Sequence, residues 1–172
     1  MNRGIRAFST TFSPTNINAI QLFANSCYNK VDFKINENRS TQDAVTHFSA
    51  FNIGCLAVTD DSNKVVGVCS ERDYINKVAA FGKHNTQAKV KDICTYGPKI
   101  IVAHPEDSLD VCMRKMLFRD IRHLIIMTPE NNECVGMLSI RDLVKASMKD
   151  KNETIARLSD FKLGKGGFFG SE

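Results

Sequence analysis

The heptapeptide GVCSERD at residues 67–73 returns as GMLSIRD at residues 136–142, both times after a short apolar run. A chain that repeats itself builds its structure from like units whose apolar faces cover one another. The match runs well beyond the heptapeptide. Setting Ile53 on Ile121, a shift of 68, brings Ala44 onto Cys112, Val45 onto Met113, Phe48 onto Met116, Leu56 onto Leu124 and Val58 onto Ile126. One extra residue in a turn makes the shift 69, and Val66 then falls on Val135, Gly67 on Gly136, Ser70 on Ser139, Arg72 on Arg141 and Asp73 on Asp142. Apolar positions therefore correspond first through a helical spacing and then through a strand-like one.

Each unit reads in the order β-α-β-β-α. A short extended segment comes first, DFKIN at 32–36 and KIIVA at 99–103. A helix follows, with Ser40 or Asp107 as its predicted N-cap. Its apolar stripe is Ala44, Val45 and Phe48 in one copy and Cys112, Met113 and Met116 in the other. Two strands come next, GCLAVTD and KVVGVCS around the turn DDSN, then RHLIIMT and ECVGMLS around PENN. A second helix opens at ERDYINKVAAF and at IRDLVKASMK. The fold class expected is mixed α/β (α+β). The division expected is an N-terminal extension at 1–30, a first repeat at 31–90 with a linker to 98, a second repeat at 99–150, and a helix end with a Gly-rich tail at 151–172.

The duplicated S-x-x-D has two physical readings. A Ser N-cap with an acid three residues later is a capping box, satisfying free N–H groups whatever the protein does. Ser40 and Asp43 show the same spacing. The same helix start at a strand end also presents unpaired N–H groups and partial positive charge to a phosphate, and a carboxylate there can accept from both hydroxyls of a ribose.

Two tandem β-α-β-β-α units, each closing on G-h-x-S-x-x-D, with NIGCLAVTD in one and IRHLII in the other, resemble a pair of cystathionine-β-synthase (CBS) domains, a Bateman module. The resemblance covers about residues 32–150 and departs at Ile125, where proline is common. The layout is similar to plant organellar proteins made of one lone CBS pair. It implies an adenine nucleotide (AMP, ADP or ATP) in the cleft between repeats. Asp73 and Asp142 would hold ribose, Ser70 and Ser139 would approach phosphate, and Arg122 and His123 would neutralise phosphate charge. Ala57, Val58, Ile125 and Ile126 would sandwich the adenine. Copy one carries Gly54–Cys55 where copy two has Arg122–His123, so one competent pocket is expected rather than two. CBS pairs usually associate, which implies a homodimer or a place in a larger assembly.

The first 31 residues contain no Asp or Glu, carry Arg3 and Arg6, and are rich in Ser, Thr and Asn. That is the composition of a mitochondrial presequence, and RAFS at 6–9 fits processing after Phe8. The expected location is the matrix or the matrix face of the inner membrane. No apolar run reaches the roughly 18 residues of a membrane span. A net charge of +4 without clustering gives no nucleic-acid footprint. The six cysteines form no C-x-x-C pair and sit mostly among aliphatic residues, so no metal or redox cofactor is expected. P-loop, G-x-S-x-G, H-E-x-x-H and paired-glycine dinucleotide motifs are missing, and GKGGFFG precedes no helix. The sequence thus points to a non-catalytic regulator of a mitochondrial partner, or to an accessory subunit of a respiratory complex.

Overall fold

The computed structural model describes residues 17–82, 88–130 and 133–162. Two small sheets carry the two repeats. In the first, β1 (Lys34–Asn36) pairs parallel with β2 (Cys55–Thr59), which pairs antiparallel with β3 (Val65–Ser70). In the second, β5 (Val102–Ala103), β6 (His123–Met127) and β7 (Cys134–Ser139) repeat that order and register. Both hairpins carry a bulge at equivalent points, Val58/Thr59 and Ile126/Met127. The parallel pair needs a crossover, supplied by α2 (Thr41–Phe51) in one copy and α5 (Leu109–Phe118) in the other. Ser40 caps α2 as expected, but α5 is capped by Ser108 and not by Asp107. Asp107 accepts instead from the His104 N–H and from Lys115.

Each sheet is buried on both faces, which is why its strands read as continuous apolar runs. Leu124, Ile126 and Leu138 pack with Cys112 and Met116 of α5 in the second core. Their strand neighbours Ile125 and Met137 belong to the core of the first repeat. Alternation along β6 and β7 thus gives one face to the repeat's own helices and the other to the partner repeat. The sheets meet at this seam.

The segment before each repeat packs on the other one. The linker strand β4 (Thr95–Tyr96) joins the first sheet beside β3, after the single turn α4 (Val90–Ile93). On the far side, residues 17–30 depart from the expected presequence. They form α1 (Ala19–Ala24), capped by Asn18 and Gln21, and a 3-10 turn at Cys27–Lys30. Ala19 and Leu22 are buried in the second core, and Asn18 bridges Ser108 as Lys89 bridges Ser40. Residues 1–16, with the processing site expected at Phe8, lie outside the described residues, as do 163–172 with GKGGFFG.

Helix α3 (Glu71–Lys77) ends in a 3-10 turn at Ala79–Phe81, whereas its counterpart α6 runs from Ile140 to Lys162. No described helix is long and apolar enough to cross a membrane.

Gly67 of β3 faces β4 with no room for a side chain: a Cβ there would lie 2.8 Å from the backbone oxygen of Thr95. Backbone cannot swing aside as a side-chain tip can. Gly67→Ala should therefore cost about 1–3 kcal/mol, the usual range for overpacking, read as a lower urea midpoint at unchanged slope.

Candidate functional site

Strand β3 and strand β7 each hand over to a helix at the seam, and the duplicated Ser and Asp sit at those junctions. The three S-x-x-D stretches at helix starts are all capping boxes. Asp73 Oδ2 accepts from the Ser70 N–H at 3.0 Å and the Ser70 hydroxyl at 2.6 Å, and Ser70 Oγ accepts from the Asp73 N–H at 3.3 Å. Asp142 and Ser139 repeat this at 2.8, 2.7 and 3.3 Å. Ser40 and Asp43 make the same box. The geometry of the motif alone therefore does not separate a ligand-binding pair from a plain cap.

Surroundings do. Beside Asp73 a cleft of about 210 Å³ opens between the repeats. Ser70, Arg72 and Asp73 line it from the first repeat, Thr95 from the linker, and Ile100, Ile101, Arg122, His123, Ile125 and Met137 from the second repeat. Asp73 Oδ1 accepts only from Lys77 Nζ, at 2.9 Å, among the described residues; Lys77 is half exposed and donates also to the Ile93 carbonyl. Arg72 reaches Asp120 across the cleft mouth at 3.6 Å, an exposed pair of little energetic weight.

Asp142 sits differently. It is 8% exposed, and Oδ2 takes a third donor, the hydroxyl of Ser26, at 2.9 Å. Tyr28 fills the space beside it, 1% exposed, edge-on to His123 and to Phe33. Phe23 covers Gly136, where an added Cβ would lie within 3.0 Å of its ring. A smaller cleft of about 190 Å³ remains, lined by Cys27, Tyr28, Gly54, Glu71, Arg122, His123, Ser139 and Arg141.

The residues expected to bind ligand thus divide. Ser70, Asp73, Arg122, His123 and Ile125 gather at one cleft. Ser139 and Asp142 belong to the other side, under the N-terminal segment. Val58 and Ile126 do not face the seam cleft: each is fully buried within its own repeat, because adjacent strand residues point to opposite faces. Ala57 is also fully buried and lines neither cleft. The apolar wall comes instead from Ile100, Ile101 and Met137 with Ile125. Ile100 and Ile101 went unrecognised as cleft residues in the sequence, although KIIVA opens the second repeat.

His123 does not carry the phosphate-neutralising charge expected of it. Burial, then the neighbouring Arg122, pull its pKa down to about 4 against a weaker pull from Asp142, so it is a neutral donor or acceptor at pH 7. A folded pKa below the unfolded one means the unfolded chain binds the extra proton. The resulting stability is present above about pH 6.5 and drains away as pH falls toward 4. The wild type should lose up to about 3 kcal/mol through this group over that window, and His123→Gln should not. Urea unfolding of both proteins between pH 7 and pH 4.5 measures the difference, with carboxylate titration common to the two.

The cysteines serve packing. Burial, with Asp73 second, pushes the Cys69 thiol up to about 12, and burial pushes Cys112 up to about 11. Cys27 is exposed. Among the described residues no cluster of His, Cys, Asp or Glu can hold a metal ion.

Comparison with known proteins matches a CBS domain family model twice, at residues 29–80 and 90–149. A mitochondrial CBS domain-containing protein of Arabidopsis thaliana, CBSX3, is 32% identical over 121 residues, which is 69% of this chain and 58% of that protein. The chain therefore spans little more than half of this curated relative. Among solved structures, a CBS-domain-containing protein from Agrobacterium tumefaciens superposes with a TM-score of 0.68 at 26% identity, over 79% of this chain and 97% of that one. A CBS domain protein of Pyrobaculum aerophilum, solved in complex with AMP, superposes with a TM-score of 0.63 at 26% identity, over 73% and 89%.

Proposed function

The chain belongs to the CBS-domain family, and from that membership we propose that it is a non-catalytic regulatory module which binds an adenine nucleotide in the Asp73 cleft and modulates a mitochondrial protein partner. The observation that carries the reading is the make-up of that cleft. One end offers a carboxylate with a displaceable partner, the middle is aliphatic, and a guanidinium from the opposite repeat stands at the rim. In this reading Asp73 accepts from the ribose hydroxyls, and Ile100, Ile101, Ile125 and Met137 enclose the adenine. Arg122 supplies charge to phosphate, and His123 a neutral hydrogen bond. The AMP complex of the Pyrobaculum protein supports the ligand class.

Charge-assisted hydrogen bonds contribute roughly 1.5–3 kcal/mol each. Two or three of them with ring burial, less binding costs, give about micromolar to millimolar affinity, suited to sensing abundant nucleotides. A ligand that contacts both repeats can bias the angle between them only by its differential affinity for the two arrangements. A thermal-shift panel of AMP, ADP, ATP and S-adenosylmethionine tests the proposal: saturation at about 100 times Kd should add about 2.7 kcal/mol of stability. Absence of any shift with all four removes it.

Mitochondrial location is part of the proposal. It is supported by the acid-free opening of the sequence and by the plant relative. A second reading, an accessory subunit built into a respiratory complex, is favoured by apolar side chains that the fold leaves exposed: Phe81, Leu117 and Phe118, and Met148, Ile155 and Leu158 along α6. In a free protein the same faces would serve a homodimer. Native gel electrophoresis of mitochondria separates the two, a small free pool against co-migration with a membrane complex.

A further inference from the structure

The duplication should produce two equivalent slots at the seam, yet the two are filled differently. The cause lies in the segments that precede the repeats. At the shift of 68, Tyr28 corresponds to Tyr96 and Ser26 to Cys94. Tyr96 turns outward and its hydroxyl donates to Glu37 at 2.5 Å. Tyr28 turns inward, with ring centroids 5.9 Å from His123 and 6.0 Å from Phe33. The Ser26 hydroxyl, 2% exposed, donates to Asp142, while Asp73 receives donors only from its own cap and helix among the described residues.

A hydroxyl on the motif carboxylate with a flat ring packed beside it reproduces the two recognition elements of an adenosine, sugar hydroxyl and base. We infer that Ser26–Tyr28 is an internal occupant of the second slot: the protein binds one adenosine ligand, at Asp73, and keeps a latent adenosine site around Asp142 closed with its own chain. This rests on the nucleotide reading of the Asp73 cleft. The occupant fits its slot incompletely. The Tyr28 hydroxyl is buried near the backbone of Gly54 and Cys55 without a well-formed hydrogen bond to any described residue. A cleft also remains open along one flank, with Arg122 and Arg141 on its wall. Those two arginines are the charges that a phosphate would meet once the ring left. Removal of the occupant therefore exposes a carboxylate, an aromatic-lined slot and two cations in one place.

The test is isothermal titration with AMP of the wild type, of Tyr28→Ala, and of the double variant Ser26→Ala/Tyr28→Ala, each checked for folding by circular dichroism. One site is expected in the wild type and two in the double variant, falling to one when Asp73→Ala is added. Tyr28→Leu, which keeps apolar cover over Phe33, substitutes if alanine prevents folding. Two sites in the wild type, or one in every folded variant, overturn the inference and leave the nucleotide reading standing. Binding to the variants alone upholds the internal occupant and removes the Asp73 reading. Silence in all forms removes both.

Discussion

Asp73→Ala should weaken AMP binding by about 30- to 1000-fold. At the cleft between the repeats, Asp73 Oδ1 accepts only from the half-exposed Lys77 among the described residues. Two ribose hydroxyls donating to a carboxylate make charge-assisted bonds of roughly 1.5–3 kcal/mol each. Losing about 2–4 kcal/mol in all corresponds to that range of affinity. The same carboxylate completes the cap of α3, so the variant also loses about 1 kcal/mol of stability. Calorimetry on protein well below its melting temperature separates the two effects. Asp73→Asn retains an acceptor for the Ser70 N–H and should recover most of the stability but little of the affinity.

Asp142→Ala should do the reverse, although the two aspartates occupy the same place in the repeat. Asp142 is nearly buried and receives three donors, two from Ser139 and one from Ser26. Its removal leaves those three donors without their acceptor, and buried unsatisfied groups cost about 1–3 kcal/mol apiece. With loss of the cap on α6, the destabilisation should be about 2–4 kcal/mol. At about 2–4 °C per kcal/mol for a chain of this size, the melting temperature should fall by roughly 10 °C. Ser26→Ala removes one of the three bonds and should show about a third of the fall. AMP affinity should stay within about twofold of wild type, because the Asp73 cleft shares no hydrogen bond with this carboxylate. The pair of variants thus separates a binding aspartate from a structural one.

The architecture could be read from the sequence because duplication makes two independent statements of one pattern. Where helical and alternating periods agree across both copies, as at Ala44/Cys112 and Leu56/Leu124, packing leaves little choice. Of the four residues expected as the adenine wall, Ile125 lines the Asp73 cleft, and strand parity turns its neighbour Ile126 into the core of its own repeat. Ala57 with Val58, and Ile125 with Ile126, are neighbours inside a strand and so point to opposite faces of their sheet. The two aspartates could not be ranked from the motif because what distinguishes them lies over a hundred residues away, in Ser26 and Tyr28. That segment has no acids, and its composition matched a targeting signal before it matched a structural element. The shift of 68 continued backward does carry the clue, setting Tyr28 on Tyr96 and Phe33 on Ile101. Even so, the direction each tyrosine turns is decided by the cavity available at the seam. The neutral state of His123 has the same origin, since tertiary burial fixes its charge.

The seam is asymmetric, with a cleft beside Asp73 and the chain's own Ser26 and Tyr28 on the Asp142 side. A crystal structure of the protein grown with AMP measures this directly. The expected result is one nucleotide per chain between Asp73 and the Ile125–Met137 wall, with Tyr28 still packed against His123 and Ser26 still bonded to Asp142. Nucleotide density against Asp142 with Tyr28 displaced, or an Asp73 cleft that stays empty at saturating AMP, would contradict it.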